Sequence, residues 1–170
     1  MRSIRKGFTL IELMVVVIIL GVLTSMGVPY YLKTVESSKA MDAVAVAHMV
    51  GVASQMMLLD NPGATYTAGL MTNTCNTTTC PTNPSAARNS CHLVACGYVS
   101  RQDWDSIAYT IRACNPNTGA GGTGCSVTRT AYANRRSGTY SSWTYYFTSA
   151  GQCVSSPTSG SLRAPTCPSF

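Results

Sequence analysis

The chain has 170 residues, 45% of them apolar but only 11% charged, where about a quarter is usual. That length suits one ordinary domain plus a long extra element, and the apolar content excludes a disordered chain. Of the net charge of +6, half comes from Arg2, Arg5 and Lys6 at the very start, so the remainder is a weak argument for nucleic-acid binding.

Phe8 to Val28, FTLIELMVVVIILGVLTSMGV, is a run of 21 residues with a single charge. About 20 apolar helical residues cross a bilayer core. The basic residues before the run hold the N-terminus on the cytoplasmic side and send the rest outward. The cysteines agree with that orientation. All eight lie at or beyond Cys75, an even number confined to one half of the chain, as expected for disulfides formed outside a reducing cytosol. A cleaved secretory signal is the rival reading. It fits poorly, because the apolar run is too long and no A-x-A site follows it.

Beyond Pro29 the pattern turns amphipathic. Ala40, Ala43 and Val44, Ala47, Val50 and Gly51, Ser54, and Met57 and Leu58 recur at helical spacing, until Asn61-Pro62-Gly63 stops the helix. The expectation is one helix over Phe8 to Asp60. Tyr66 to Asn89 reads as loop. Strands are expected at Leu93–Ser100, Trp104–Ala113, Ser126–Ala133 and Tyr140–Thr148, separated by Gly- and Ser-rich turns. The fold class is therefore α+β: a long N-terminal helix whose second half packs on an antiparallel sheet, in a disulfide-rich domain. No internal repeat is apparent. The expected divisions are 1–7, 8–29 (the membrane half of the helix), 30–60 (its amphipathic half) and 61–170 (the head).

The residues Lys6-Gly7-Phe8-Thr9-Leu10-Ile11-Glu12-Leu13-Met14 resemble the prepilin signature of type IV pilins and of the pseudopilins of type II secretion. The likeness covers about the first 30 residues, and the remainder shares only the layout of helix, variable loop, sheet and late disulfide loop. It implies that a prepilin peptidase cuts after Gly7, removing residues 1–7 as a leader, and that Phe8 is N-methylated. Glu12 stands four residues past the new N-terminus. A carboxylate inside a spanning helix costs roughly 2.5–3.5 kcal/mol on insertion scales and calls for a partner. The resemblance implies the terminal amine of a neighbouring subunit, fixing the axial register; the plainer alternative is hydration near the interface. Gly21 and Pro29 both weaken a helix. They bracket either an extensible segment or a simple kink.

Cys75-x4-Cys80 and Cys91-x4-Cys96 share one spacing, and two pairings suggest themselves: within each unit, or nested as 75 with 96 and 80 with 91. Cys114 and Cys125 flank a Gly-rich loop and are expected to close it. Cys153 and Cys167 resemble the pair enclosing the late loop of many pilins. A zinc site from Cys75, Cys80, Cys91, His92 and Cys96 is disfavoured, since no C-x2-C knuckle exists. Gly119, Gly121 and Gly124 match G-x-G-x-x-G, but cysteines bracket them where a strand and a helix would be needed, so they read as a loop. Arg129, Arg135, Arg136 and Arg163 among Tyr132, Tyr140, Trp143, Tyr145 and Tyr146 are a weak single-stranded nucleic-acid signal; sheet filling is the stronger reading. Asp103 and Asp105 read as the solvated start of a strand, and the two histidines, His48 and His92, belong to no catalytic constellation.

These readings converge on a filament subunit with no enzymatic role, no metal and no cofactor. Its expected partners are copies of itself, the membrane before assembly, a prepilin peptidase, an assembly ATPase and an inner-membrane platform. It is expected as a single-pass inner-membrane protein and then as a cell-surface filament. A major pseudopilin of type II secretion is the alternative. Such subunits often bind calcium through clustered carboxylates, and this chain has no Asp or Glu beyond Asp105. A DNA-binding minor pilin of the competence type is the second alternative.

Overall fold

The computed structural model describes residues 7–115, 117–119, 122–160 and 162–168. Helix α1 runs Leu10–Asp60 and contains Pro29. Compact structure divides within it, between Ser37 and Ser38. In the first unit the helix surface from Leu10 to Leu32 is apolar and exposed.

In the second unit the helical periodicity foreseen in the sequence is the buried face: Ala40, Ala43, Val44, Ala47, Val50, Ser54 and Met57 are all at most 1% exposed, and Ala53, which was not foreseen, joins them at 3%. This face meets a five-stranded antiparallel sheet in the order β2 (Gly69–Leu70), β4 (Tyr109–Ala113), β5 (Arg129–Arg135), β6 (Thr144–Thr148), β7 (Cys153–Ser156). Alternate residues point inward. Ile111, Ala133 and Tyr145 lie side by side across three strands, as do Ala113, Ala131 and Phe147. In both of these rows the central strand contributes an alanine, which lets the helix come close. A Cβ on Gly51 would lie 2.8 Å from Thr130 Oγ1 and 3.5 Å from Ala131 Cβ. Thr130 and Ala131 are buried in succession because a register shift between Arg129 and Ala131 interrupts the alternation.

Several expected boundaries change. The stretch Leu93–Ser100 is not a strand: α2 is a single helical turn, His92–Ala95. Asn89 and His92 cap it reciprocally, the His92 amide donating to Asn89 Oδ1 and the Asn89 amide to His92 Nδ1. Trp104 lies in a turn before β4, fully buried, its indole N–H donating to Asn76 Oδ1. The 66–89 region carries small elements that a loop reading omits: β1 (Tyr66–Thr67) pairs parallel with β3 (Arg88–Asn89), and Asn73–Asn76 form a 3-10 turn. Strand β7 was not anticipated at all.

Four disulfides close the head. Cys114–Cys125 and Cys153–Cys167 are as expected. The other two correct both suggested pairings: they are Cys75–Cys91 and Cys80–Cys96. The two C-x4-C segments run side by side in the same direction, so first bonds with first and last with last. Cys91 and Cys96 are the residues immediately before and after α2, so the two rungs clamp both ends of that turn.

Candidate functional site

Gly7, Phe8 and Thr9 precede α1 in non-helical backbone. A Cβ on Gly7 would meet nothing within 4 Å, and Phe8 is 78% exposed. Among the described residues nothing packs on Gly7, and the Gly7–Phe8 bond lies in non-helical backbone, the form in which a protease accepts a chain. Residues 1–6, the rest of the expected leader, lie outside the described residues.

Helix α1 opens with Thr9-x-x-Glu12. The Thr9 backbone amide donates to Glu12 Oε2 at 2.9 Å, the Thr9 hydroxyl donates to the same oxygen at 2.7 Å, and the Glu12 amide donates to Thr9 Oγ1 at 3.4 Å. This is a capping box, which satisfies amides that the first helical turn leaves without partners. Sequence reasoning assigned Glu12 a role but missed Thr9, although the T-x-x-E spacing before an apolar run was there to be read. Phe8, Ile11, Glu12, Val15 and Val16 line one open groove, so the carboxylate stands on a face otherwise apolar.

This is a helix long and apolar enough to cross a membrane, and none of its most apolar 18-residue window is covered within the structure. Its few polar side chains satisfy themselves. Thr24 donates to Leu20 O and Gly21 O, and Ser25 to Val22 O. That is what a lipid environment demands of hydroxyls. Helical residues continue through both Gly21 and Pro29.

Most of the remaining singled-out residues have structural employment. Arg129 stacks over the Tyr146 ring at 3.7 Å and donates to Gly124 O at 2.7 Å. Arg135 donates to Ala108 O, and Arg136 to Ile107 O and Trp104 O while lying 3.9 Å from Asp105. Arg163 is exposed. Asp103 and Asp105 sit in a turn and hold Asn73, the first through its side chain and the second through its amide. The Asn73 and Ser106 hydrogen bonds hold the Asp103 carboxyl below the usual range. His48 packs on Phe147. The four cysteines weighed as zinc ligands are all in disulfides, and His92 serves as a cap. Of the G-x-G-x-x-G residues, Gly121 lies outside the described residues. Gly124, at φ +90°, lies against the face of Tyr132, where any Cβ would overlap the ring. That glycine is required for close approach of a loop to the sheet, not to a phosphate.

Among known proteins, the family described as the prokaryotic N-terminal methylation motif matches residues 2–28. The chain is similar to a type IV major fimbrial protein FimA of Dichelobacter nodosus, 38% identical over 77 residues, 43% of this chain and 48% of that one. A second FimA of Dichelobacter nodosus is 47% identical over 47 residues, covering 28% and 29% of the two chains. A fimbrial protein of the same organism gives the same identity and coverage, 47% over 47 residues. The chain thus spans about half the length of the first of these curated relatives and under a third of the other two. No solved structure matches it. The motif on an uncovered apolar helix, together with these relatives, supports the type IV pilin family as the one into which this chain falls.

Proposed function

We propose that the chain is a structural subunit of a type IV pilus-like filament, cut after Gly7, N-methylated at Phe8 and polymerised through α1. The observation that carries this reading is the methylation motif lying on a helix whose most apolar stretch no described residue covers. Such a surface needs lipid before assembly and other helices after it. Packing helices together in a filament replaces one apolar surrounding by another, so the helix is satisfied in both states. Cutting before the apolar run, not after it, keeps the anchor that a secretory signal would lose. The chain holds no motor, and the reading places a prepilin peptidase, an assembly ATPase and an inner-membrane platform around it as partners. The subunit is a single-pass inner-membrane protein before assembly and part of a cell-surface filament afterwards. Its role is mechanical, with no reaction of its own.

Intact mass of the non-reduced protein in filaments sheared from cells tests this. The expected mass lacks residues 1–7, gains one methyl group and loses eight hydrogens to four disulfides. Processed protein confined to the membrane fraction would point to a secretion pseudopilin instead. An uncut chain, or one cut near Pro29, would overturn the filament reading.

A further inference from the structure

Of the eight cysteines, Cys80 alone is exposed; Cys75 and Cys114 are fully buried and the other five are half-buried. Its bridge to Cys96 also has an unusual neighbour. Arg88 is only 5% exposed, and its Nη1 lies 3.8 Å from Cys80 Sγ and 3.7 Å from Cys96 Sγ. The guanidinium is fixed there by Pro81 O at 3.0 Å, Asn61 Oδ1 at 2.9 Å and Asn83 O at 3.2 Å. A disulfide sulfur is a weak acceptor and gains little from a cation. A thiolate gains much more, because a neighbouring arginine lowers a thiol's pKa.

We propose that Cys80–Cys96 is the thiol-exchange site of this chain, with Cys80 as the attacked sulfur and Arg88 as the group that stabilises the departing Cys96 thiolate. The co-reactant is a dithiol, small or carried by a protein. Its first thiolate attacks Cys80 Sγ, the Cys80–Cys96 bond breaks, and the electron pair leaves on Cys96 beside Arg88. The second thiol of the dithiol then displaces Cys80. The dithiol ends as a disulfide, and Cys80 and Cys96 end as two thiols, having taken two electrons and two protons. Exchange is fastest where the attacked sulfur is accessible and the departing thiolate is stabilised, and this bridge combines an exposed Cys80 with a guanidinium 3.7 Å from Cys96 Sγ.

The test uses the oxidised full-length chain in detergent. With glutathione as a one-thiol probe, peptide mapping is expected to find the adduct on Cys80 and not on Cys96. With limiting dithiothreitol, an acid quench and maleimide labelling, Cys80 and Cys96 are expected to label several-fold ahead of the other six. An adduct on Cys96, or another pair opening first, would overturn the proposal. Arg88→Met should slow the opening of this bridge several-fold relative to Cys153–Cys167 in the same sample. An unchanged ratio would remove Arg88 from the mechanism. If the variant opens every bridge together, its fold is lost, and the wild-type adduct position and order decide.

Discussion

Both bonds from Thr9 to Glu12 end on one carboxylate oxygen, Oε2, at the exposed start of α1. The helix cap therefore needs only one acceptor oxygen, and glutamine has one. The assembly role proposed for Glu12 needs a negative charge. Glu12→Gln separates the two, since Glu and Gln serve equally at this position of a capping box. The variant should keep its helix and its cleavage after Gly7, yet lose most filaments by electron microscopy of sheared fractions. Thr9→Ala should do the reverse, costing about 1 kcal/mol of capping while leaving filaments in place. Wild-type filament yield from Glu12→Gln would mean that the carboxylate is a cap and nothing more. At this scale the sequence was uneven to read. Glu12 is conspicuous because a charge interrupts 21 apolar residues. Arg88 carries no signal at all, because what distinguishes it, burial against a disulfide and three loop acceptors, comes from residues 61, 80, 81, 83 and 96 meeting in space.

The second half of α1 was legible down to its buried face, since a 3.6-residue period is a property of the segment itself. Gly51 belongs to that face for a reason the period does not show. Its missing side chain makes room for Thr130 and Ala131 at the sheet's bulge. Leucine there would gain about 1 kcal/mol of helix propensity. It would also force a large side chain into a space too tight for a single methyl group, a strain typically of about 1–3 kcal/mol. Gly51→Leu should therefore lower the thermal midpoint of the detergent-solubilised chain, and a raised midpoint would show that the helix can lift off β5. The strands were harder. Leu93–Ser100 is a short apolar run, which periodicity alone cannot assign to strand or helix. It is decided by the Asn89–His92 cap and by disulfides at both ends, all of them tertiary facts. Strand β7, CVSS, lacks aromatic residues and has only Val154 as a β-branched apolar residue. It exists because the turn after Thr148 lays it against β6, where Val154 pairs with Tyr146.

For the head as a whole, scarce charge moves the burden of stability onto burial and covalent bridges, and the pH limits then fall to a few groups. On the acid side His92 is held below its ordinary pKa, first by burial and then by Arg88. Its Nδ1 must also stay unprotonated to accept from Asn89. A lowered histidine pKa contributes stability above about 6.5, and that contribution is lost as pH falls through the folded value. On the alkaline side burial pushes the Tyr66 hydroxyl up to about 12 and raises that of Tyr145 as well. A raised pKa contributes stability in full below the unfolded value of about 10, and the contribution disappears as pH climbs towards the folded one. Denaturant unfolding of the oxidised chain should thus give a flat stability between about pH 7 and 9.5 and a steep decline above 10. The Tyr145 hydroxyl is buried without a hydrogen-bond partner among the described residues. Tyr145→Phe should therefore cost nothing at neutral pH, and removing an unsatisfied hydroxyl can gain up to about 1 kcal/mol. Combined with Tyr66→Phe, it should flatten the decline above pH 10. If the double variant declined as steeply as the wild type, the alkaline limit would lie elsewhere, and the two buried phenols would not be what sets it.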